Sequence, residues 1–353
     1  MPDTIGSPRK KAMIAMSGGV DSSVAAALML DDGCQCKGVT LKLYGDRETD
    51  INDARQASER LEIPHDVLDF SETFRDLVIR QFIESYERGA TPNPCITCNR
   101  YIKFGRLFSQ ALGEGYDLLA TGHYARIEKS GSRWLLRKAA DGKKDQSYVL
   151  FSLGQETLAQ VSFPLGNLSK NEVREIAEAR GLVNAAKRDS QDICFVPDGD
   201  YGNFIEQYMG KSYPPGDILD PGGKVIGRHA GMIRYTLGQR RGLGVAVNQP
   251  VYVSAKDPVR NTITLGPEHT LYSKTLCADR INLVACESID KPMRVKVKTR
   301  YLQQEHSAWV VQTAADEIRI EFDEAQRALT PGQAAVLYDG DIVVGGGIII
   351  SAA

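Results

Sequence analysis

Over roughly the first third of the chain, short apolar runs alternate with stretches of helical character. Ala12–Met16 is apolar and ends in a Gly-rich turn, and Ser22–Leu30 follows with the Ala/Leu content of a helix. Lys37–Leu43 predicts a second strand, Asp53–Leu61 a helix, His65–Leu68 a third strand, Thr73–Tyr86 a helix, and Asp117–Thr121 a fourth strand. Strands alternating with helices of about 10–15 residues predict a parallel sheet with helices on both faces. Ligands on such sheets bind at the carboxyl ends of the strands, where the turn after Met16 falls. The pattern changes past residue 125. Ala125–Ile127 and Trp134–Arg137, separated by a Ser-Gly-Ser turn, predict a hairpin. Ser169–Arg180 predicts a helix with Ser169 as N-cap, Glu172 three residues on as in a capping box, and Gly181 as its stop. Beyond Tyr213 the chain is rich in Gly and short β-runs, and Cys277–Ile350 alternates repeatedly, as in Met293-Arg-Val-Lys-Val-Lys. That pattern suits a small antiparallel barrel.

Composition bounds this architecture without changing it. The 353 residues, 42% apolar and 25% charged, suffice for two or three domains with real cores. Net charge is only −2, which by itself gives no reason to expect a nucleic-acid partner. The distribution is uneven, however. Residues 1–206 hold 26 basic against 30 acidic residues, 207–272 hold 8 against 4, and 273–353 hold 9 against 11. The +4 middle stretch fits a phosphate-contacting surface or a solvated basic module equally well. Seven cysteines, an odd number, argue against a secreted disulfide scaffold. No segment approaches the ~20 apolar residues of a membrane span, and Met1–Lys11 lacks a signal-peptide core. A soluble, cytoplasmic protein of the reducing compartment is expected, in which any cysteine that matters is catalytic or metal-binding.

The strongest local motif is Ala15-Met-Ser-Gly-Gly-Val-Asp-Ser22, after a strand and opening a helix. Ser17, Gly18 and Gly19 let the backbone approach an anion, and the helix start offers free N–H groups and the positive dipole end. Ser22 and Ser23 add hydroxyls. There is no Gly-Lys-Ser/Thr and no GxGxxG spacing, so neither a Walker loop nor a dinucleotide fingerprint is present. SGGVDS resembles the pyrophosphate loop (PP-loop) of the ATP-pyrophosphatase superfamily, whose members cleave ATP between the α and β phosphates and adenylate a substrate oxygen.

Cysteines narrow the choice. Thr91-Pro-Asn-Pro-Cys-Ile-Thr-Cys-Asn99 leads into a helix expected at Arg100–Ala111, placing Cys98 near a helix N-terminus beside Arg100 and Lys103, where a thiolate is stabilised. Asp189-Ser-Gln-Asp-Ile-Cys-Phe195 holds Cys194, which alone would be read as a buried apolar residue. Together with Ala120-Thr-Gly-His-Tyr-Ala-Arg126, Lys144-Asp-Gln-Ser-Tyr148, PGDI at 215–218, GQRRGLG at 238–244, Arg300-Tyr301 and Pro331-Gly-Gln333, these blocks resemble, in order and over nearly the whole chain, the tRNA-specific 2-thiouridylases. These enzymes thiolate uridine at the wobble position of the anticodon.

The resemblance implies an α/β fold: a parallel-sheet, adenine nucleotide alpha hydrolase-like PP-loop domain at 1–206, a small β-rich central domain contacting tRNA at 207–272, and a C-terminal antiparallel β-barrel at 273–353. It implies ATP on Ala15, Met16, Ser17, Gly18, Gly19, Val20, Asp21 and Ser22, with Leu41 and Gly122 also lining the nucleotide and Mg²⁺ balancing its phosphates. Cys194 matches the cysteine that carries a persulfide received from a sulfur-relay partner or cysteine desulfurase. Cys98 matches the acid/base cysteine that then releases sulfur by forming a transient Cys98–Cys194 disulfide, which a thiol reduces. Asn93, Pro94 and Cys95 align with the segment at the target base. His123, Lys144, Asp145, Gln146, Arg300, Tyr301 and Gln333 align with tRNA-contacting positions, the substrates being tRNAs of the Lys, Glu and Gln type. Arg240 and Arg241 are where further phosphate contacts are expected.

One block departs from the pattern. Many family members carry Asp where this chain has Cys95, so DxxC becomes CxxC. Either Cys95 is a tolerated small residue near the target base, or Cys95, Cys98 and Cys194 together hold a [4Fe–4S] cluster with one iron open to sulfide. A zinc site has no evident fourth ligand. The alternatives to a thiouridylase are another PP-loop ligase or amidotransferase synthetase, which has no use for Cys98 and Cys194, and a non-catalytic RNA-binding module, which has no use for an intact pyrophosphate loop. Cys34, Cys36, Cys277 and Cys286, with His65, His229, His269 and His306, are read as packing or surface residues.

Overall fold

The computed structural model describes residues 9–45, 47–182, 193–245 and 249–353. Residues 189–192 of the Asp189–Phe195 block and the first eight residues of Met1–Lys11 lie outside the described residues. The chain divides into two compact units, each assembled from separated segments. The first comprises Met1–Leu77, Ile96–Ser190 and Asp341–Val343; the second comprises Val78–Cys95, Gln191–Gly340 and Val344–Ala353.

The first unit is built on five parallel strands, β1 (Lys11–Ala15), β2 (Gln35–Lys42), β3 (His65–Asp69), β4 (Leu118–Thr121) and the two-residue β7 (Val161–Ser162), in the order β3-β2-β1-β4-β7. The order reverses direction at β1. Ala15 pairs with Val39 of β2 on one side and Thr121 of β4 on the other. The crevice between the carboxyl ends of β1 and β4 is therefore the topological switch point, the usual ligand position in an open parallel sheet. The helix Val20–Asp31 is buried along most of its length, and Ala25, Ala26 and Ala27 let it lie close to the sheet. The expected hairpin forms as β5 (Ala125–Ser130) and β6 (Arg133–Lys138). It is clipped by Asp341, whose carboxylate pairs with Arg126 at 2.7 Å and Arg137 at 2.6 Å. The capping box is complete: Ser169 Oγ accepts from the Glu172 N–H, and the Glu172 carboxylate accepts from the Ser169 N–H at 2.7 Å.

The second unit contains a four-stranded sheet, β10-β11-β8-β9, from β8 (Gly216–Leu219), β9 (Val225–His229), β10 (Tyr252–Asp257) and β11 (Thr262–Gly266), around Ile218, Val253, Ile263 and Leu265. It also contains a closed antiparallel barrel of six strands: β12 (Tyr272–Leu283), β13 (Met293–Lys298), β14 (His306–Ala314), β15 (Glu317–Arg327), β16 (Ala334–Asp339) and β17 (Ile342–Ala352). The barrel order is β12-β15-β14-β13-β16-β17, and β17 closes it by pairing back to β12. Alternation sends Val295, Val297, Ala308, Val310, Ile318, Ile320 and Phe322 inward, as the sequence period predicts. Among the described residues no helix is long and apolar enough to cross a membrane.

The Ser169→Ala substitution removes one side of the reciprocal cap and should lower unfolding free energy by about 1 kcal/mol in urea titration. An unchanged midpoint would show that the cap contributes nothing to this helix.

Candidate active site

The loop after β1 is held by its own backbone and by β2. The Met16 N–H donates to the Val39 carbonyl at 2.8 Å, and Thr40 Oγ1 donates to the Met16 carbonyl at 2.8 Å. Gly18 has φ +75°, and a Cβ there would lie 2.2 Å from the Asp50 carbonyl oxygen, so both backbone conformation and space require glycine. Gly19 is the extended N-cap of the Val20–Asp31 helix and supplies no side-chain cap. The first turn thus presents its N–H groups to a ligand rather than to a capping oxygen. The hydroxyls of Ser22 and Ser23 both donate to the Gly19 carbonyl, at 3.0 and 3.3 Å, and Ser22 Oγ accepts from the Ser17 N–H. In this conformation they shape the loop from within.

Gly122 closes the opposite wall. A Cβ there would meet the Asp21 carbonyl carbon and the Ser22 nitrogen, each at 2.7 Å, so β4 ends directly against the start of the helix. Leu41 lies two residues past the Ala15–Val39 pairing, half-buried at the end of β2. The structure therefore brings Ala15–Ser22 and Gly122 together around the switch point, with Leu41 on the adjoining strand.

The residue that sequence reasoning missed is Lys170. It is only 7% exposed, and its ammonium donates to both Asp21 carboxylate oxygens at 2.7 and 2.9 Å. Tyr124 OH donates to Asp21 Oδ1 at 2.8 Å. Tyr124 is itself clamped by Gln146, whose N–H donates to the Tyr124 carbonyl and whose Oε1 accepts from the Tyr124 N–H at 2.9 Å. The available signal was position: a lysine at the first turn of a helix, where the dipole disfavours a cation unless an anion compensates it.

Two residues aligned with tRNA contacts, His123 and Asp145, are buried, and a third, Gln146, is half-buried. His123 is buried, with Nδ1 2.7 Å from Thr121 Oγ1 and its ring against Phe104 and Phe163. Burial, aided by the Lys103 charge, holds its imidazole well below the ordinary range. The Asp145 carboxylate accepts from the Ala139 and Ser147 N–H groups and from Ser147 Oγ. The Gln146 side chain holds Tyr124, as above. Lys144 is half-buried on the same loop.

The helix carrying the CxxC begins earlier than expected. It starts at Pro94, and Asn93 Oδ1 accepts from the Cys95 N–H at 3.1 Å. Asn followed by Pro is the N-cap and first-position signal of a helix start. Cys95 therefore occupies the first turn and is exposed, while Cys98 lies one turn further in and is buried. The following Asn99–Leu107 stretch is a π-helix, a form that often marks functional sites, and Asn99 Nδ2 donates to the Val149 carbonyl. Cys98 belongs to the first unit, whereas Cys95 and Cys194 belong to the second.

Cys194 is exposed at a turn closed by the Val196 N–H on the Ile193 carbonyl. The next residue, Phe195, anchors this turn edge-on to Phe82 and tilted against Phe204, with ring centroids at 5.2 Å in both cases. Within the second unit, the Gln333 amide donates to the Thr91 carbonyl at 2.8 Å, and the Thr91 N–H donates to the Pro331 carbonyl. Arg300 donates to the Ala328 carbonyl and to Thr330 Oγ1. The loop before Asn93, Pro94 and Cys95 is thus tied to the Pro331–Gln333 turn, whose neighbour Thr330 carries Arg300. Arg240 and Arg241 are exposed. Among the described residues, no three His, Cys, Asp or Glu side chains gather into a set able to hold a metal ion.

A switch-point loop with an uncapped helix start, walled by a glycine on the next strand, defines a nucleotide-binding α/β protein of the PP-loop class. The comparisons with known proteins make this specific. Family models described as tRNA methyl transferase HUP domain, PRC-barrel domain and aminomethyltransferase beta-barrel domain match residues 10–198, 202–267 and 273–349. The tRNA-specific 2-thiouridylase MnmA of Acetivibrio thermocellus is 45% identical over 97% of this chain and 99% of its own length. That of Treponema denticola is 46% identical over 97% and 98%. That of Clostridioides difficile is 45% identical over 96% and 98%. The chain belongs to the tRNA-specific 2-thiouridylase family.

Lys170→Met should leave Asp21 short of its main partner and lower unfolding free energy by about 1–3 kcal/mol, measured in urea. A value under about 0.5 kcal/mol would mean that solvent replaces the ammonium without loss. Burial also lowers the imidazole of His65. The unfolded chain therefore binds protons that the folded chain refuses as pH falls below about 6.5. Stability present above that pH should be lost on acidification toward pH 5, and His123→Asn should flatten the urea midpoint against pH.

Proposed function

We propose that the chain is a tRNA-uridine 2-sulfurtransferase that uses ATP to activate the 2-oxygen of the wobble uridine, position 34, and then replaces it with sulfur. The observation that carries this reading is full-length likeness to thiouridylases in a chain whose pyrophosphate loop lies open at the sheet's switch point. The 2-carbonyl of uracil is a weak electrophile with a poor leaving group. Attack of its oxygen on the α-phosphorus of ATP expels pyrophosphate and leaves an adenylated oxygen. MgATP enters as substrate, its phosphates against the Val20–Asp31 helix start and its base side toward Leu41 and Gly122.

The terminal sulfur of a Cys194 persulfide then attacks carbon 2, and AMP departs with the original oxygen. Cys98 acts first as acid/base. Its thiolate next attacks the Cys194 sulfur, forming the Cys98–Cys194 disulfide and leaving the second sulfur on the base. An external thiol reduces that disulfide for the next turnover. Exposure of Cys194 supports loading by a sulfur-relay protein or cysteine desulfurase, and burial of Cys98 supports a role protected from solvent thiols.

Asn93, Pro94 and Cys95 receive the target base, which an anticodon loop presents unstacked at low cost. Lys144, Arg300, Tyr301 and Gln333, with Arg240 and Arg241, make tRNA contacts. Asp145 and Gln146 support that surface by setting the Ser147 and Tyr124 backbone, and His123 does so from the interior against Thr121. The working division is 1–206 for adenylation, 207–272 for tRNA and 273–353 for the barrel, in a cytoplasmic enzyme acting on Lys-, Glu- and Gln-type tRNAs.

Cys98→Ser and Cys194→Ser should each abolish 2-thiouridine, read by mass spectrometry of nucleosides after incubation with tRNA, ATP and a sulfur donor. Both variants should still release pyrophosphate. Thiolation by either would overturn the persulfide route, and a PP-loop synthetase of another kind would tolerate both changes. Anaerobically purified protein should thiolate without bound iron; stoichiometric iron and labile sulfide that are required for activity would replace the persulfide with a [4Fe–4S] cluster on Cys95, Cys98 and Cys194.

A further inference from the structure

The barrel strand β13 separates its residues cleanly. Val295 and Val297 point into the core, whereas Arg294, Lys296 and Lys298 lie on the outer face, and Arg300 and Leu302 continue the same two-residue spacing. Alternate residues on a strand are about 6.8 Å apart, a spacing that suits successive phosphates of an extended nucleic-acid strand. The charges along this face are not equivalent. Arg294 is neutralised by a two-pronged pair with Asp323, one contact at 2.6 Å, and its guanidinium lies over Trp309. Lys298 lies over the Tyr338 ring, its ammonium 5.8 Å from the centroid. Lys296 is exposed and makes no ion pair or hydrogen bond through its ammonium among the described residues.

The turn after β13 is braced rather than loose. The Gln303 N–H donates to the Arg300 carbonyl at 3.2 Å, and Thr299 Oγ1 bonds Gln303 Oε1 at 2.6 Å. This frame holds Leu302 out at 89% exposure, one residue beyond Tyr301. A large apolar side chain fixed in water at the end of a basic strand face is the combination by which RNA-binding surfaces take phosphates along a strand and pack an unstacked base at its end.

We propose that the outer face of β13 and the turn after it form a further RNA track, in which Lys296 and Lys298 take phosphates and Leu302 packs against an unpaired base. The track continues the contacts assigned above to Arg300 and Tyr301 and rests on that reading of the chain as a tRNA-modifying enzyme. It supplies an electrostatic contact in a region whose net charge is negative, which average charge alone would pass over.

The test is binding of an unmodified tRNA transcript with a wobble uridine, by fluorescence anisotropy across a potassium chloride series, alongside steady-state thiolation. The double variant K296Q/K298Q should weaken binding about five- to tenfold and reduce the slope of log affinity against log salt by about 1–2. Its KM for tRNA should rise while kcat at saturating tRNA stays unchanged. Leu302→Ser should weaken binding about threefold or more with no change of slope. Arg319→Gln, an exposed cation on β15, should behave as the unaltered protein. Affinity within twofold and an unchanged slope for K296Q/K298Q, in protein whose melting matches the unaltered chain, would overturn the track. If the unaltered chain itself neither binds nor thiolates the transcript, the underlying tRNA reading falls as well, and the two failures are told apart by that control.

Discussion

The Asp21 carboxylate holds the switch-point end of the parallel sheet in order. It belongs to the pyrophosphate loop's own helix, yet its partners come from far along the sequence: Tyr124 after β4 and Lys170 at the start of another helix. Through Tyr124 the constraint reaches Gln146, and through Gly122 it fixes how closely β4 can approach the loop. A carboxylate at the first turn of a helix already suits the positive end of its dipole. Here the same carboxylate also compensates a buried ammonium that would otherwise be costly to desolvate. Two residues that lie 103 and 149 positions further along the chain thus converge on one anion, and the loop takes its shape from the chain's own contacts.

Much of this was legible in the chain. The period of apolar positions gave four of the five parallel strands, the hairpin, the capped helix and the barrel alternation, because each is a local pattern with one buried face. The glycines of SGGVDS announced a close approach, and Gly18 has the positive φ that such a loop demands. The fifth strand, Val161–Ser162, was not legible, because two residues carry no period. The helix start at Pro94 was readable from Asn93-Pro94 but was overshadowed by the more strongly helical residues that follow Cys98. Lys170 was hidden because its partner lies 149 positions away, and a lysine on a capped helix is ordinarily a solvated one. The interior placement of His123 and Asp145, and the turn of the half-buried Gln146 toward the Tyr124 backbone, were invisible for the same reason: a polar motif in sequence does not show which way its side chains turn.

The site also shows how burial and exposure are divided among chemically similar groups. Cys36 is buried on β2 with its thiol pushed up to about 11, which keeps it a packing residue. Cys98 is buried at the junction of an α- and a π-helical stretch, while Cys95 and Cys194 are set out in solvent at a helix start and an aromatic-anchored turn. Identical side chains are given different access by the local element that carries them, and access decides which of them a reagent in solution can reach.

Asp341 has a consequence for how the chain is made. The two arginines it neutralises, Arg126 and Arg137, precede it by 215 and 204 residues. At a synthesis rate of about 5–20 residues per second, the β5–β6 hairpin waits roughly 10–40 s after leaving the ribosome before its counter-ion exists. During that interval Arg126 lacks its carboxylate and Arg137 has only Glu128 of the same hairpin, its partner at 2.6 Å in the folded chain, and β12 is likewise an open strand edge until β17 arrives. Nascent chains therefore pass through a long stage with a basic hairpin and an unpaired edge, a stage at which a chaperone has something definite to hold.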